Sequence, residues 1–226
     1  MTLPILTLLE ARVVGVLVEK QATVPDTYPL SLNTLLAGCN QKTARDPVLN
    51  VNESDVLQAI DQLKLLSLVF EGSGSRVVRY EHNLGRVLGV PSQAVALLST
   101  LMLRGPQTAA ELRSHCERLH RFADISSVEG FLDELAEKDP PRVVKLARAP
   151  GSREARWAHL LCGEVAGAAT GAELAEVSGA AAALDVGDLV TLRAEQLRLN
   201  AEVERLRGQV ARLAAALGVD LDAESL

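Results

Sequence analysis

Arg79-Tyr80-Glu81-His82-Asn83-Leu84 returns 77 residues later as Arg156-Trp157-Ala158-His159-Leu160-Leu161. An arginine, an aromatic and a histidine at one spacing mark an internal duplication, and what has been copied then becomes the question. Upstream of each copy lies the same order of signals: three helical patterns, then two short β-prone runs.

In the first copy, Thr7-Leu8-Leu9-Glu10 reads as a capping box, and Leu9, Val13, Val16 and Leu17 follow helical spacing over about residues 8 to 20. Ser31 caps a second helix that runs to about Cys39 and buries Leu32, Leu35 and Leu36. Asn52 caps a third, with Val56, Leu57, Ile60 and Leu63 on one stripe. Ser67 to Phe70 and Arg76 to His82, joined by Glu71-Gly72-Ser73-Gly74-Ser75, form a hairpin.

The second copy repeats the order. Ser92 caps helix one, Thr108-Ala109-Ala110-Glu111 boxes helix two, and Ser126-Ser127-Val128-Glu129 boxes helix three. Arg142 to Ala147 and Arg153 to His159 make the hairpin. Leu112 and Cys116 lie 77 residues after Leu35 and Cys39, whereas Val128, Leu132 and Leu135 lie 72 after Val56, Ile60 and Leu63. The offset changes because residues 41 to 48 lengthen the first copy's connection between helices two and three by about five. Three helices followed by a hairpin is the winged-helix arrangement. The fold class read here is mainly α with short β-hairpins (α+β): winged-helix domains at 1–90 and 91–162, an Ala/Gly-rich linker at 163–184, a coiled-coil helix at 185–218 and a tail at 219–226.

The coil rests on Leu189, Leu192, Gln196, Leu199, Val203, Leu206, Val210, Leu213 and Leu217, which alternate spacings of three and four. Valine at two a positions with leucine at d favours a parallel pair of chains, and Gln196 sets register. The competing reading is a helix folded back on its own body; the strict 3.5 period favours the homodimer.

Tyr28-Pro29-Leu30-Ser31-Leu32-Asn33 and Cys39-Asn40-Gln41-Lys42-Thr43-Ala44-Arg45-Asp46-Pro47-Val48 resemble the YceH family of uncharacterised bacterial proteins, over about residues 5 to 162. The resemblance implies a tandem winged-helix protein with a variable, often coiled C-terminus, and it carries no catalytic residue.

Charge decides how such a fold is used. The net charge of -6 divides as -1 over residues 1–90, +1 over 91–162 and -6 over 163–226. The third helices carry carboxylates outward (Glu53, Asp55 and Asp61; Glu129, Asp133, Glu134 and Glu137), which repel phosphate and argue against groove readout there. The basic side chains sit on the hairpins and the inserted loop. Candidate nucleic-acid contacts are therefore Lys42, Arg45, Arg76, Arg79, Arg142, Lys145, Arg148, Arg153 and Arg156. DNA is the first partner expected, and a protein docked on the acidic helices is the alternative.

The repeated aromatic and histidine share a strand face in each copy, which reads as core. Cys39, Cys116 and Cys162 are odd in number, without a CxxC pair, so no disulfide framework or metal site is expected, and Cys116 with His120 reads as a buried thiol. No phosphate-binding loop, dinucleotide pattern or nucleophile-base arrangement is present, so no cofactor and no enzyme activity are expected. Charges interrupt the apolar stretch from Met1 to Gln21, which reads as a mature helix of a cytoplasmic protein without membrane contact.

Overall fold

In the computed structural model, which describes residues 5–72, 77–148 and 154–165, the chain is mixed α/β, with seven α-helices and two small antiparallel sheets among the described residues. All of these residues belong to the first of the chain's two compact units, Met1–Thr170. The heptad positions Leu189, Leu192, Gln196, Leu199, Val203, Leu206, Val210, Leu213 and Leu217 lie outside the described residues.

Helix α1 (Leu8–Thr23) starts as the sequence says: the Thr7 hydroxyl accepts from the Glu10 amide, and the Glu10 carboxylate accepts from the Thr7 amide at 2.7 Å. Nine consecutive residues, Glu10 to Val18, are buried, so the helix has no solvent face along that length. This explains the apolar character of the segment: α1 is the central helix of the unit. It packs on one side against α2 (Leu32–Cys39) and α3 (Glu53–Leu65), and on another against α5 (Ser92–Arg104).

Ser31 and Asn52 cap α2 and α3, and Asp55 closes a capping box on Asn52. Strand β1 (Leu30–Ser31) joins β2 (Val69–Gly72) and β3 (Arg79–His82) in a sheet ordered β1-β3-β2. The pairing Glu71 with Tyr80 and Val69 with His82 sets the hairpin register. Neither β1 nor the short helix α4 (Leu84–Leu88) is marked by the sequence pattern, since two and five residues are too few to show a period.

In the second half, α5 is followed by α6 (Ala109–His115), α7 (Ile125–Ala136) and a two-stranded sheet of β4 (Val143–Lys145) and β5 (Trp157–His159). Two caps differ from expectation. Pro91 occupies the N-cap of α5, with Ser92 already helical. Asp124, not Ser126, caps α7, its carboxylate accepting from both the amide and the hydroxyl of Ser127 at 2.7 Å. An ionised acceptor outcompetes a neutral hydroxyl for the same first-turn donor.

The matched positions occupy matched cores. Leu35 and Leu112, Cys39 and Cys116, and Val56 and Val128 are all at 0% exposure. One continuous apolar cluster nevertheless runs through both halves. Ser99 donates to the Gly15 carbonyl at 3.1 Å at the α1–α5 crossing, and a methyl group on Gly15 would lie only 3.0 Å from Leu103. The small residue lets the two backbones approach.

Candidate nucleic-acid interface

The loop after α2 is held from below. Arg12, fully buried on α1, donates to the carbonyls of Cys39 (3.3 Å) and Pro47 (2.7 Å), so one guanidinium spans the loop's two ends. Arg45 is buried too, and turns inward to grip the Glu19 carboxylate with two nitrogens, at 3.1 and 2.7 Å, while also donating to the Gly38 carbonyl. Burial raises the Glu19 pKa, but the Arg45 hydrogen bond and charge, with Lys20 in support, outweigh it and leave the carboxyl below its ordinary value. The Asp46 amide then donates to the Leu103 carbonyl at 2.8 Å, so the inserted loop seats on the end of α5 in the other half.

The nine basic residues picked from sequence therefore separate. Arg45 and Arg142 are buried, which takes their charges out of a phosphate-contacting surface. Arg79 is half-buried and donates to the carbonyls of Thr27 and Pro29, tying the first hairpin to the segment before β1. Arg76 and Arg153 lie outside the described residues. Lys42, Lys145, Arg148 and Arg156 are exposed. The Lys145 ammonium sits 5.2 Å from the centre of the Trp157 ring, and Arg156 donates to the Pro106 carbonyl (2.7 Å) and to Glu111 (3.1 Å).

Two of these segments, more than 100 residues apart in sequence, meet. A groove of about 320 Å³ is lined by Ala44 to Asp46 from the inserted loop and by Arg104, Glu111, His115 and Arg156 from the second half. Arg104 was not singled out from sequence; as the last residue of α5 it reads simply as a helix-end cation. Gln107 organises the groove floor, donating to the carbonyls of Thr100 and Gly105 while its own carbonyl lies 2.5 Å from His115. Burial, then the Arg104 charge, hold the His115 pKa below its ordinary value against the pull of Glu111.

The outer faces of the third helices keep the acidic character expected of them: Glu53 and Asp61 on α3, and Glu129, Asp133, Glu134 and Glu137 on α7 or at its end, are exposed. The repeated aromatics are core, with Tyr80 at 6% and Trp157 at 3% exposure, and burial drops both His82 and His159 to a pKa of about 4. The Cys116 thiol is buried 3.0 Å from the Thr100 hydroxyl, and burial pushes its pKa to about 11, as it pushes Cys39 to about 12. Neither is a reactive thiolate. Among the described residues no helix is long and apolar enough to cross a membrane.

Cations of the second half thus line the groove beside the inserted loop, while the repeated histidines are half-buried and two of the three cysteines are buried. The chain belongs to the family described as "Protein of unknown function, DUF480", whose model matches residues 6–152. It is 71% identical over 219 residues to a UPF0502 protein of Leptothrix cholodnii, covering 96% of this chain and 97% of that one. A UPF0502 protein of Burkholderia multivorans is 65% identical over 219 residues, covering 96% and 92%. One of Paraburkholderia xenovorans is 65% identical over 215 residues, covering 95% and 89%.

Proposed function

We propose that this protein is a non-enzymatic, cytoplasmic, tandem winged-helix DNA-binding protein that dimerises through a C-terminal coiled coil. In this reading the second hairpin contacts the nucleic-acid backbone through Lys145, Arg148 and Arg156, and exposed Lys42 of the inserted loop adds a further contact. The observation that carries it is the groove in which Arg104 and Arg156 of the second half share one surface with Ala44 to Asp46 of the inserted loop. Arg45 supports that surface from within by anchoring the loop to Glu19. The outward carboxylates of α3 and α7 make this backbone contact, not base readout by the third helix. A second chain compensates for the modest charge by raising the effective concentration of the other body.

The test is binding of the full chain to a labelled duplex over a salt series. Affinity should fall steeply with salt, and Lys145→Glu with Arg148→Glu should weaken it at least about tenfold, since each reversal removes one phosphate contact and adds a repulsion. No binding at about 50 mM salt, where such contacts are strongest, would remove the reading. A protein-docking scaffold is the second reading, and one observation favours it: Leu57, Leu65, Phe70, Val77 and Val78, on α3 and the first hairpin, are 36 to 78% exposed. Recovery of one stoichiometric protein partner without nucleic acid would select it.

A further inference from the structure

The connection between the second and third helices is short in the second half, and it leaves a corner open. A groove of about 290 Å³ lies there, lined by Arg113 and Ser114 of α6, Glu117 and Arg121 of the connection, and Ile125 at the start of α7. Arg113, Arg118 and Arg121 are all exposed, and Glu117 is the acidic residue among them. Arg113 is aimed by a hydrogen bond to the Ala123 carbonyl at 3.0 Å, which leaves its remaining N–H donors available. The groove also adjoins the first turn of α7, where helix geometry leaves amides without intrahelical acceptors; Asp124 caps the one at Ser127. Two guanidiniums and a hydroxyl form a donor set that a phosphodiester accepts from, with the Glu117 carboxylate and the α7-capping Asp124 carboxylate as the acidic groups beside them.

In the first half the equivalent connection is the inserted loop, whose arginine is buried against Glu19. The two halves thus use the same place differently: one closes it with chain and an ion pair, and the other leaves it open and cationic.

From this contrast we infer that the α6–α7 corner is a second phosphate-contact site, in which Arg113 and Arg121 hold the sugar-phosphate backbone of double-stranded DNA. The inference rests on the DNA-binding reading and extends it from the hairpin to the opposite side of α6, the helix that carries Glu111 and His115 on the groove beside Arg156 and Arg113 and Ser114 on this one. It also accounts for how an acidic α7 approaches a duplex. Contact at the corner grips backbone at the start of α7, with Glu129 one turn along and the exposed carboxylates of Asp133, Glu134 and Glu137 further away.

The experiment is fluorescence anisotropy of the full chain with a duplex of about 25 base pairs, an order-of-magnitude length for a site plus flanks, over a salt series. Arg113→Glu with Arg121→Glu should weaken binding at least about tenfold and lower the slope of log affinity against log salt by roughly two. Arg86→Glu, an exposed reversal on α4 in the first half, should leave both unchanged. If the reversals lower the melting temperature, Arg113→Gln with Arg121→Gln keeps the test, with the same slope change expected from lost charge alone. Wild-type affinity and slope in a folded corner variant would overturn the inference while leaving the hairpin reading intact. A wild-type chain that ignores duplex at low salt would overturn both.

Discussion

The two halves of this chain share a core and differ outside it. Leu35, Cys39, Val56, Ile60 and Leu63 in the first, and Leu112, Cys116, Val128, Leu132 and Leu135 in the second, are matching buried positions. On the surface the first half exposes Leu57, Leu65, Phe70, Val77 and Val78, while the second exposes Arg113, Arg118, Arg121, Lys145 and Arg148. A duplicated unit is constrained where packing is dense, because volume changes there cost several kcal/mol, and is free to diverge where water tolerates any side chain. The two halves therefore match at these buried positions and present two chemistries outside them.

The largest effect is expected where the halves brace the same connection with different arginines. Arg12→Ala deletes a buried cation that spans the inserted loop, stranding the carbonyls of Cys39 and Pro47 and leaving a cavity. Its cost should be about 3 kcal/mol or more in chemical denaturation. Arg113→Ala removes an exposed side chain with one bond to Ala123 and should cost within about 0.5 kcal/mol. Equal losses from the two would break the comparison.

Next come the glycines that set helix approach. A methyl group on Gly38 would meet Val16 Cγ1 at 2.5 Å, a stiff β-branched neighbour inside the first half. Gly38→Ala should therefore destabilise by about 1 to 3 kcal/mol. Gly15→Ala, at the crossing between halves, meets the flexible tip of Leu103 at 3.0 Å and should cost less. Urea titration of both variants orders the two packings.

Glu19 gives a smaller, pH-resolved effect. Its carboxyl pKa is depressed in the folded state, so its stabilising contribution is complete above the unfolded value near 4.3 and is lost as pH falls through the folded value. Glu19→Gln should cost about 1 to 2 kcal/mol at pH 7, and the difference from wild type should shrink as pH falls below about 4. A difference independent of pH would detach the inserted loop from this ion pair.

Much of this was readable before any coordinates. Thr7, Ser31, Asn52 and Thr108 each fix a helix start because one short side chain satisfies one local amide, a matter settled within three residues. The third-helix stripes read well apart from Leu57, which is 36% exposed. Both hairpins are found, the first with Glu71 and Gly72 in strand β2 instead of in the turn. The fate of the loop arginines did not, since Arg45 is exposed or buried according to Glu19, 26 residues away, and Arg12 beneath it. Arg104 and Arg113 are silent for the converse reason: nothing nearby in sequence tells that a groove opens beside them. Local chemistry is written locally, whereas a surface is assembled from distant segments.

The smallest effect concerns the repeated histidine. Burial lowers both His82 and His159 to about 4, below the unfolded value near 6.5. The unfolded chain thus binds protons first as pH falls, so each contribution is full above about 6.5 and disappears toward 4. The two sites differ in their partners. The His82 ring nitrogens meet Gln21 at 2.7 Å and the Leu84 amide at 3.4 Å, whereas Nδ1 of His159 is buried without a hydrogen-bond partner. His82→Phe should strand two polar groups and cost about 1 kcal/mol at pH 7. His159→Phe removes an unpaired buried nitrogen and should be close to neutral at pH 7, yet flatten the loss of stability between about pH 6.5 and 4. Proton NMR of the ring C–H groups supplies the site-specific check, and a His159 titration midpoint near 6.5 would show that the second half's sheet does not bury its histidine as the first half's does.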